Sequence, residues 1–463
     1  MNRKQLWVLL LGSVASLMAA LDTLVVSTAL SSIRRELDAS IAELEWTVNA
    51  YNLSFAVLLM TAAAAGDRLG RRRMFAAGVA LFTLASAACA LAGDVGTLIA
   101  ARVVQGAGAA LVTTLALALV STAFPTERRG AAIGILEGVT GMGVALGPLV
   151  GGAVADGLAW QAIFWLNVPI GLIAVPLALR KLPESFGPDG AFDFRGVALV
   201  TGGTFAVVWA LVRGNTVGWG SPETVVTLVA GVLLAVAFVR WERRAPHPMM
   251  PLGFFRSRAF SAGNVAIFCT FAALFLAVFF FAQYLQTGLG YGAFEAGLRL
   301  LPWTVTLFLC APVAGALTDR IGERPLMGGG LVLQAVGLGW VALVAGEPYG
   351  AMVPALVVAG CGVSMAIPAV QSSVVGAVAP DQIGRAVGVN SMMRELGGVF
   401  GIAVGVAVFA GAGSFASAAD FTDGFVPAVV AAALISLAGA LAALWLPGRA
   451  PTPTPVERRV ELG

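Results

Sequence analysis

The chain is short of charge. Aspartate, glutamate, lysine and arginine make up only 11% of its 463 residues, against about 25% in a soluble domain, which excludes an ordinary water-soluble fold. Cysteine is scarce too. Cys89, Cys269, Cys310 and Cys361 all lie in apolar stretches without Cys-x-x-Cys spacing, so neither a disulfide framework nor a zinc site is expected, and they read as small buried hydrophobes. The lone His247 sits in the proline-broken stretch APHPMMP with no other ligand near it, and a metal site needs several; no metal and no cofactor are expected. Net charge is +3 without a basic patch, so no nucleic-acid partner is expected. His-Glu-x-x-His, a Walker loop and a nucleophile elbow are all missing, which argues against an enzyme or a receptor with a soluble domain.

Long apolar runs are what the chain has instead. Fourteen segments, near 6–30, 46–65, 74–92, 97–123, 130–155, 162–179, 197–212, 224–239, 260–285, 296–317, 326–345, 351–378, 386–411 and 426–446, are separated by short charged loops. Most are long enough to cross about 30 Å of hydrocarbon as a helix. The basic start MNRK resembles a signal peptide, but the apolar stretch after it is too long and many more follow, so it reads as the first spanning helix. Sides alternate along such a chain. With the termini placed in the cytoplasm, only Arg34, Arg35 and Arg213 fall on the outer side and only Arg102, Arg299 and Arg394 within helices; every other lysine and arginine lies inside. That bias predicts an even number of crossings in the plasma (inner) membrane with both ends cytoplasmic. It does not separate twelve from fourteen, since the pair at 197–212 and 224–239 changes no side; the polar loop RGNTVGWGSPE between them favours two real crossings.

An internal repeat divides the chain. GDRLGRRR follows the second segment and TDRIGERP the tenth, placing Asp67 and Asp319 252 residues apart; QGAG and AGCG place their glycine pairs 254 apart. Two related halves in the same direction are expected, as in large secondary transporters. Residues 1–182 and 251–447 would each form a six-helix bundle, 183–250 a linker with two extra spanning helices, and 448–463 a cytoplasmic tail. The expected fold class is an all-α polytopic membrane protein of fourteen helices.

Several strings resemble one family. ALDTLVVSTAL (Ala20 to Leu30), GDRLGRRR, RVVQGAGAALV (Arg102 to Val112), GVALGPLVGG (Gly143 to Gly152) and WQAIFWLNVPIG (Trp160 to Gly171) occur in the order and at the helices of the fourteen-spanner drug:proton antiporters of the major facilitator superfamily. The chain departs from them at Leu24, Ser27, Ser31, Ala63, Gln161 and Ala162. The resemblance implies a proton-driven exporter by alternating access. Its energy source would be the proton gradient, its cargo a small amphipathic compound, cationic or neutral, such as a drug or antibiotic. A monomer in the lipid bilayer is expected. An uptake symporter on the same fold is the alternative, and GPLVGG, a motif of exporters, speaks against it.

Physical chemistry picks out the residues. A charge near the bilayer centre costs about 2.5 to 3.5 kcal/mol on insertion scales and needs a partner, a wet cavity or a proton. Asp22 and Arg102 lie at comparable depth on the first and fourth helices, either as a static ion pair or as a proton site whose carboxylate the guanidinium resets. Glu137 is the one acid in GILEGVTGMGVALGPLVGG, where the family commonly has a neutral residue. It is expected to line an inward-open cavity and either exchange protons with a cationic substrate or attract it directly; the alternative is a protonated or water-solvated glutamate near the inner vestibule. Asn49 and Asn52, Gln283 and Gln286, and Asn390, Arg394 and Glu395 are candidate cavity residues. Arg394 and Glu395 are adjacent, point about 100° apart on a helix and are not expected to pair. Gating is expected from Asp67, Arg68, Gly70, Arg71, Asp319 and Arg320 in the two loops. Gly143, Gly147 and Gly151, with Pro148 and Gly152, would form a sliding or packing seam on the fifth helix.

Overall fold

A computed structural model describes residues 1–39, 41–157, 159–187, 193–246, 248–414 and 416–446. His247 and the tail 448–463 lie outside the described residues. Every described element is helical. The long helices are, in chain order, α1 (Arg3–Leu37), α2 (Ile41–Leu69), α3 (Arg71–Ala90), α4 (Val95–Ala123), α5 (Thr126–Gly157), α6 (Ala162–Lys181), α7 (Phe194–Val217), α8 (Pro222–Glu242), α9 (Arg258–Gln283), α10 (Leu301–Ile321), α11 (Glu323–Leu343), α12 (Tyr349–Gly376), α13 (Ile383–Ala412) and α14 (Ala418–Ala443), with short helical turns such as Ala293–Arg299 between them. Thirteen of the described helical stretches are long and apolar enough to cross a membrane. The remaining helix, α5, has 32 residues, so each of the fourteen apolar segments coincides with a helix.

Local chemistry sets the helix starts. Asp94, Ser221, Ser257 and Ser417 cap α4, α8, α9 and α14 by accepting a backbone N–H three residues on, satisfying donors that a helix terminus leaves free. Before α3 and α11 the chain reverses instead through Gly70 (φ 101°) and Gly322 (φ 92°). Only glycine takes such angles without strain. These two turns are 252 residues apart.

The same offset recurs in the packing. Gly106 lies against Tyr51 and Ser54 of α2, and Gly360 against Trp303 and Thr306 of α10; Gly108 lies against Gly78 and Phe82 of α3, and Gly362 against Gly330 and Gln334 of α11. The glycines are 254 residues apart and each pair of partners 252. A Cβ at any of these four glycines would overlap a neighbouring backbone atom, so helices in both halves cross at the close approach that small residues permit in lipid. α1 to α6 pack among themselves, as do α9 to α14.

The halves meet along two seams, α5 against α10 and α2 against α13. α7 and α8 pair with each other, and α7 lies over the second seam: Thr201 Oγ1 is 3.2 Å from Thr61 Oγ1 of α2, and Thr204 Oγ1 is 3.7 Å from Met392 Sδ of α13. The lead-in to this inserted pair is stitched to the α2–α3 loop. Arg71 N donates to Ser185 O (2.9 Å), Gly187 N to Asp67 O (2.8 Å) and Arg72 N to Glu184 Oε1 (2.9 Å). Glu184 also pairs with the side chains of Arg72 and Arg73.

Candidate functional site

The mid-helix charges of the first half form one buried network. Asp22 on α1 and Arg102 on α4 are fully buried and paired through Arg102 Nη1 and Asp22 Oδ2. Asp22 Oδ1 accepts from Gln105 Nε2 (2.9 Å) and from Asn167 Nδ2 of α6 (3.1 Å). Gln105 and Asn167 both also donate to Ser86 Oγ of α3. Arg102 reaches Gln105 Oε1 (2.7 Å) and the Thr47 carbonyl of α2 (3.0 Å), and its guanidinium sits 4.2 Å from the centre of the Tyr51 ring. Five of the six helices of this half therefore contribute to one network around this carboxylate. Three donors, one of them cationic, thus converge on this one side chain.

Among the described residues, the second half has no such network at the equivalent place. At the repeat offsets, Ser86, Arg102 and Gln105 correspond to Leu338, Leu356 and Ala359, all packed in an apolar core. A bundle of this architecture therefore closes well with aliphatic side chains at these places. The polar network is an addition to one half rather than a requirement of the fold.

Glu137 lies apart from that network, at the crossing of α5 and α12, and accepts a hydrogen bond from Gln371 Nε2 at 3.0 Å. It is half-buried, and its partner belongs to the other half. Nearer the helix ends the two loop aspartates abut the opposite halves. Asp319 accepts from the backbone N–H groups of Gly130 and Ala131 near the start of α5 (both 3.1 Å). Asp67 pairs with Arg71 (2.8 Å) and lies against Gly384 in the first turn of α13. Gly130 and Gly384 are 254 residues apart, so the two contacts are repeat equivalents. They close the molecule on the face where both loops lie. Arg68 is half-buried and Arg320 exposed.

One expectation is corrected. Arg394 and Glu395 do pair, Nε to Oε1 at 3.1 Å. The 100° rule fixes where Cβ atoms point, whereas a long arginine can bend its head group back to a neighbour, and here the guanidinium lies 5.4 Å from the centre of the Phe271 ring. Of the other candidates, Asn49 and Asn52 are half-buried on α2 and Asn390 is buried on α13 with its Nδ2 unpartnered. Gln283 and Gln286 donate back to carbonyls of their own helix turn, Phe279 and Ala282. Gly143 packs against Leu17 of α1 and Gly147 is buried; Pro148, Gly151 and Gly152 lie in the part of α5 beyond the described side chains. Sequence reasoning left Ser86, Thr47, Tyr51 and Gln371 unmarked, and read Gln105 and Asn167 only as parts of motifs. A neutral hydroxyl or amide in an apolar helix gives little signal until its partner is placed.

Comparison with known proteins agrees with this architecture. The model of the Major Facilitator Superfamily matches residues 12–304 and again 263–462. The Tetracenomycin C resistance and export protein of Streptomyces glaucescens is 36% identical over 86% of this chain and 74% of its own length. The Multidrug resistance protein Stp of Mycobacterium tuberculosis is 35% identical over 87% of this chain and 76% of its own. Among solved structures, the proton:xylose symporter XylE superposes with a TM-score of 0.68 over 94% of each chain, at 16% identity, a likeness of fold. With its halves repeating down to their glycine contacts and the family's model matching along both, the chain belongs to the Major Facilitator Superfamily.

Proposed function

We propose that this protein is a proton-coupled exporter of small amphipathic organic compounds, resident in the plasma membrane with both termini cytoplasmic, and not an enzyme. The observation that carries the coupling is the Asp22–Arg102 network, an ionisable centre at a place where the repeat-related half is apolar. Export rather than uptake is favoured by relatives named for resistance and export, and the topology by the basic residues on one side. In this reading the bundles rock about the two seams. Asp22 takes a proton when its surroundings open outward and gives it up when Arg102 returns to it. The Asp67 and Asp319 contacts hold the cytoplasmic side shut in the form described above. Inverted membrane vesicles test the direction: acidifying the lumen should drive inward accumulation of a cationic dye, and accumulation that is indifferent to collapse of the pH gradient rejects the coupling.

Glu137 makes the substrate side specific. Its bond to Gln371 bridges the halves and must break as they part, leaving a carboxylate at the cytoplasmic vestibule to attract a cation. Glutamine at this position keeps an oxygen for Gln371 and loses the charge. E137Q is expected to lower efflux of cationic dyes by about tenfold, the equivalent of about 1.4 kcal/mol, and to spare neutral compounds. Dose–response curves for both classes in a strain without its own pumps measure this, and equal losses for the two would remove Glu137 from substrate attraction.

A further inference from the structure

Away from the network and the gating loops, three arginines converge on a cavity of about 640 Å³ at the edge of the second half. Arg256 and Arg258 come from the turn into α9, Arg324 from the first turn of α11, and the far wall is Leu444, Trp445 and Leu446 at the end of α14. All three guanidinium groups are exposed. Among the described residues none of them forms an ion pair or a side-chain hydrogen bond, although carboxylates neutralise Arg71, Arg102, Arg213, Arg299 and Arg394 elsewhere. Phe255, Leu444 and Trp445 stand exposed beside them. The cavity thus has a cationic side and an apolar side at the level where spanning helices end. A tryptophan at that level is typical of the boundary between head groups and hydrocarbon.

We propose that this cavity is a binding site for an anionic phospholipid of the adjoining leaflet, its phosphate held by Arg256, Arg258 and Arg324 and its acyl chains lying along Phe255, Leu444 and Trp445. A soluble anion would use the arginines and leave the apolar wall in water; a neutral lipid would use the wall and leave three like charges facing each other. An anionic lipid uses both. Arginine suits the task because its fork meets two phosphate oxygens at once.

The full-length protein in nanodiscs, with phosphatidylglycerol titrated into phosphatidylcholine, tests this by native mass spectrometry of the retained lipid. The triple variant R256Q/R258Q/R324Q should hold phosphatidylglycerol at least tenfold less well, while a control with the same loss of charge on the same face, R180Q/R243Q/R244Q, should hold it like the parent. R256K/R258K/R324K, which preserves charge and topology, should fall between them and guards against misfolding of the neutral variant. Equal loss in the pocket and control variants would overturn the proposal in favour of diffuse attraction. So would thermal stabilisation by inorganic phosphate in phosphatidylcholine discs without any by phosphatidylglycerol. Retention that appears only after deletion of 447–463 would overturn it as well, since the chain's own tail would then be the occupant.

Discussion

Replacing Asp22 by asparagine should reduce proton-driven efflux to background while leaving a folded protein in the membrane. The side chains are nearly the same size, so α1 keeps its packing. Hydrogen bonding changes more. Asp22 receives three donors, from Arg102, Gln105 and Asn167, whereas an asparagine turns an N–H₂ toward one of them. It also leaves Arg102 buried without its counter-charge, a cost of about 3–5 kcal/mol, so the variant is expected to fold but to melt below the parent. The lost ability to ionise is not tolerable if this carboxylate is the coupling group. Efflux from vesicles with an imposed pH gradient gives the answer, and a D22N protein that still couples would assign the network to structure alone.

The second expectation concerns stability. R102L leaves Asp22 buried without its counter-charge, and breaking one partner out of a buried pair costs about 3–5 kcal/mol. The double variant D22N/R102L should recover most of that loss, because the other half packs Leu356 at the place corresponding to Arg102. Thermal unfolding in detergent reads the difference. Should the double variant melt no higher than R102L, the pair would not be coupled in the way its geometry requires. The two variants also separate the roles: D22N/R102L should fold well and transport nothing.

Much of this was readable in the residues, and the reasons are physical. Gly106 and Gly108 have fixed spacing in one helix, and their meaning depends only on a neighbouring backbone coming close. Asp22 and Arg102 stand out because charge in an apolar segment is expensive. Ser86 and Asn167 carry no such cost, and their part emerges only when α3 and α6 bring them into the same network. Arg394 and Glu395 were misjudged because helical geometry describes the first bond of a side chain and not the reach of its tip. Glu137 was flagged as an acid out of place, yet its partner Gln371 lies 234 residues away on another half, a distance no local pattern spans. Arg256, Arg258 and Arg324, which face the end of α14, are indistinguishable in sequence from other loop charges, since concavity is a property of several elements at once.

The segment after α6 has one more implication. Because Glu184, Ser185 and Gly187 are bonded to the loop between α2 and α3, the lead-in to the inserted helices is harnessed to the first bundle, while α7 leans on both α2 and α13. A stroke of one bundle relative to its sibling must therefore pull on that harness, so α7 and α8 cannot be idle passengers. α7, with α8 packed on it, forms a strut across the α2–α13 seam, placed to limit how far it can gape.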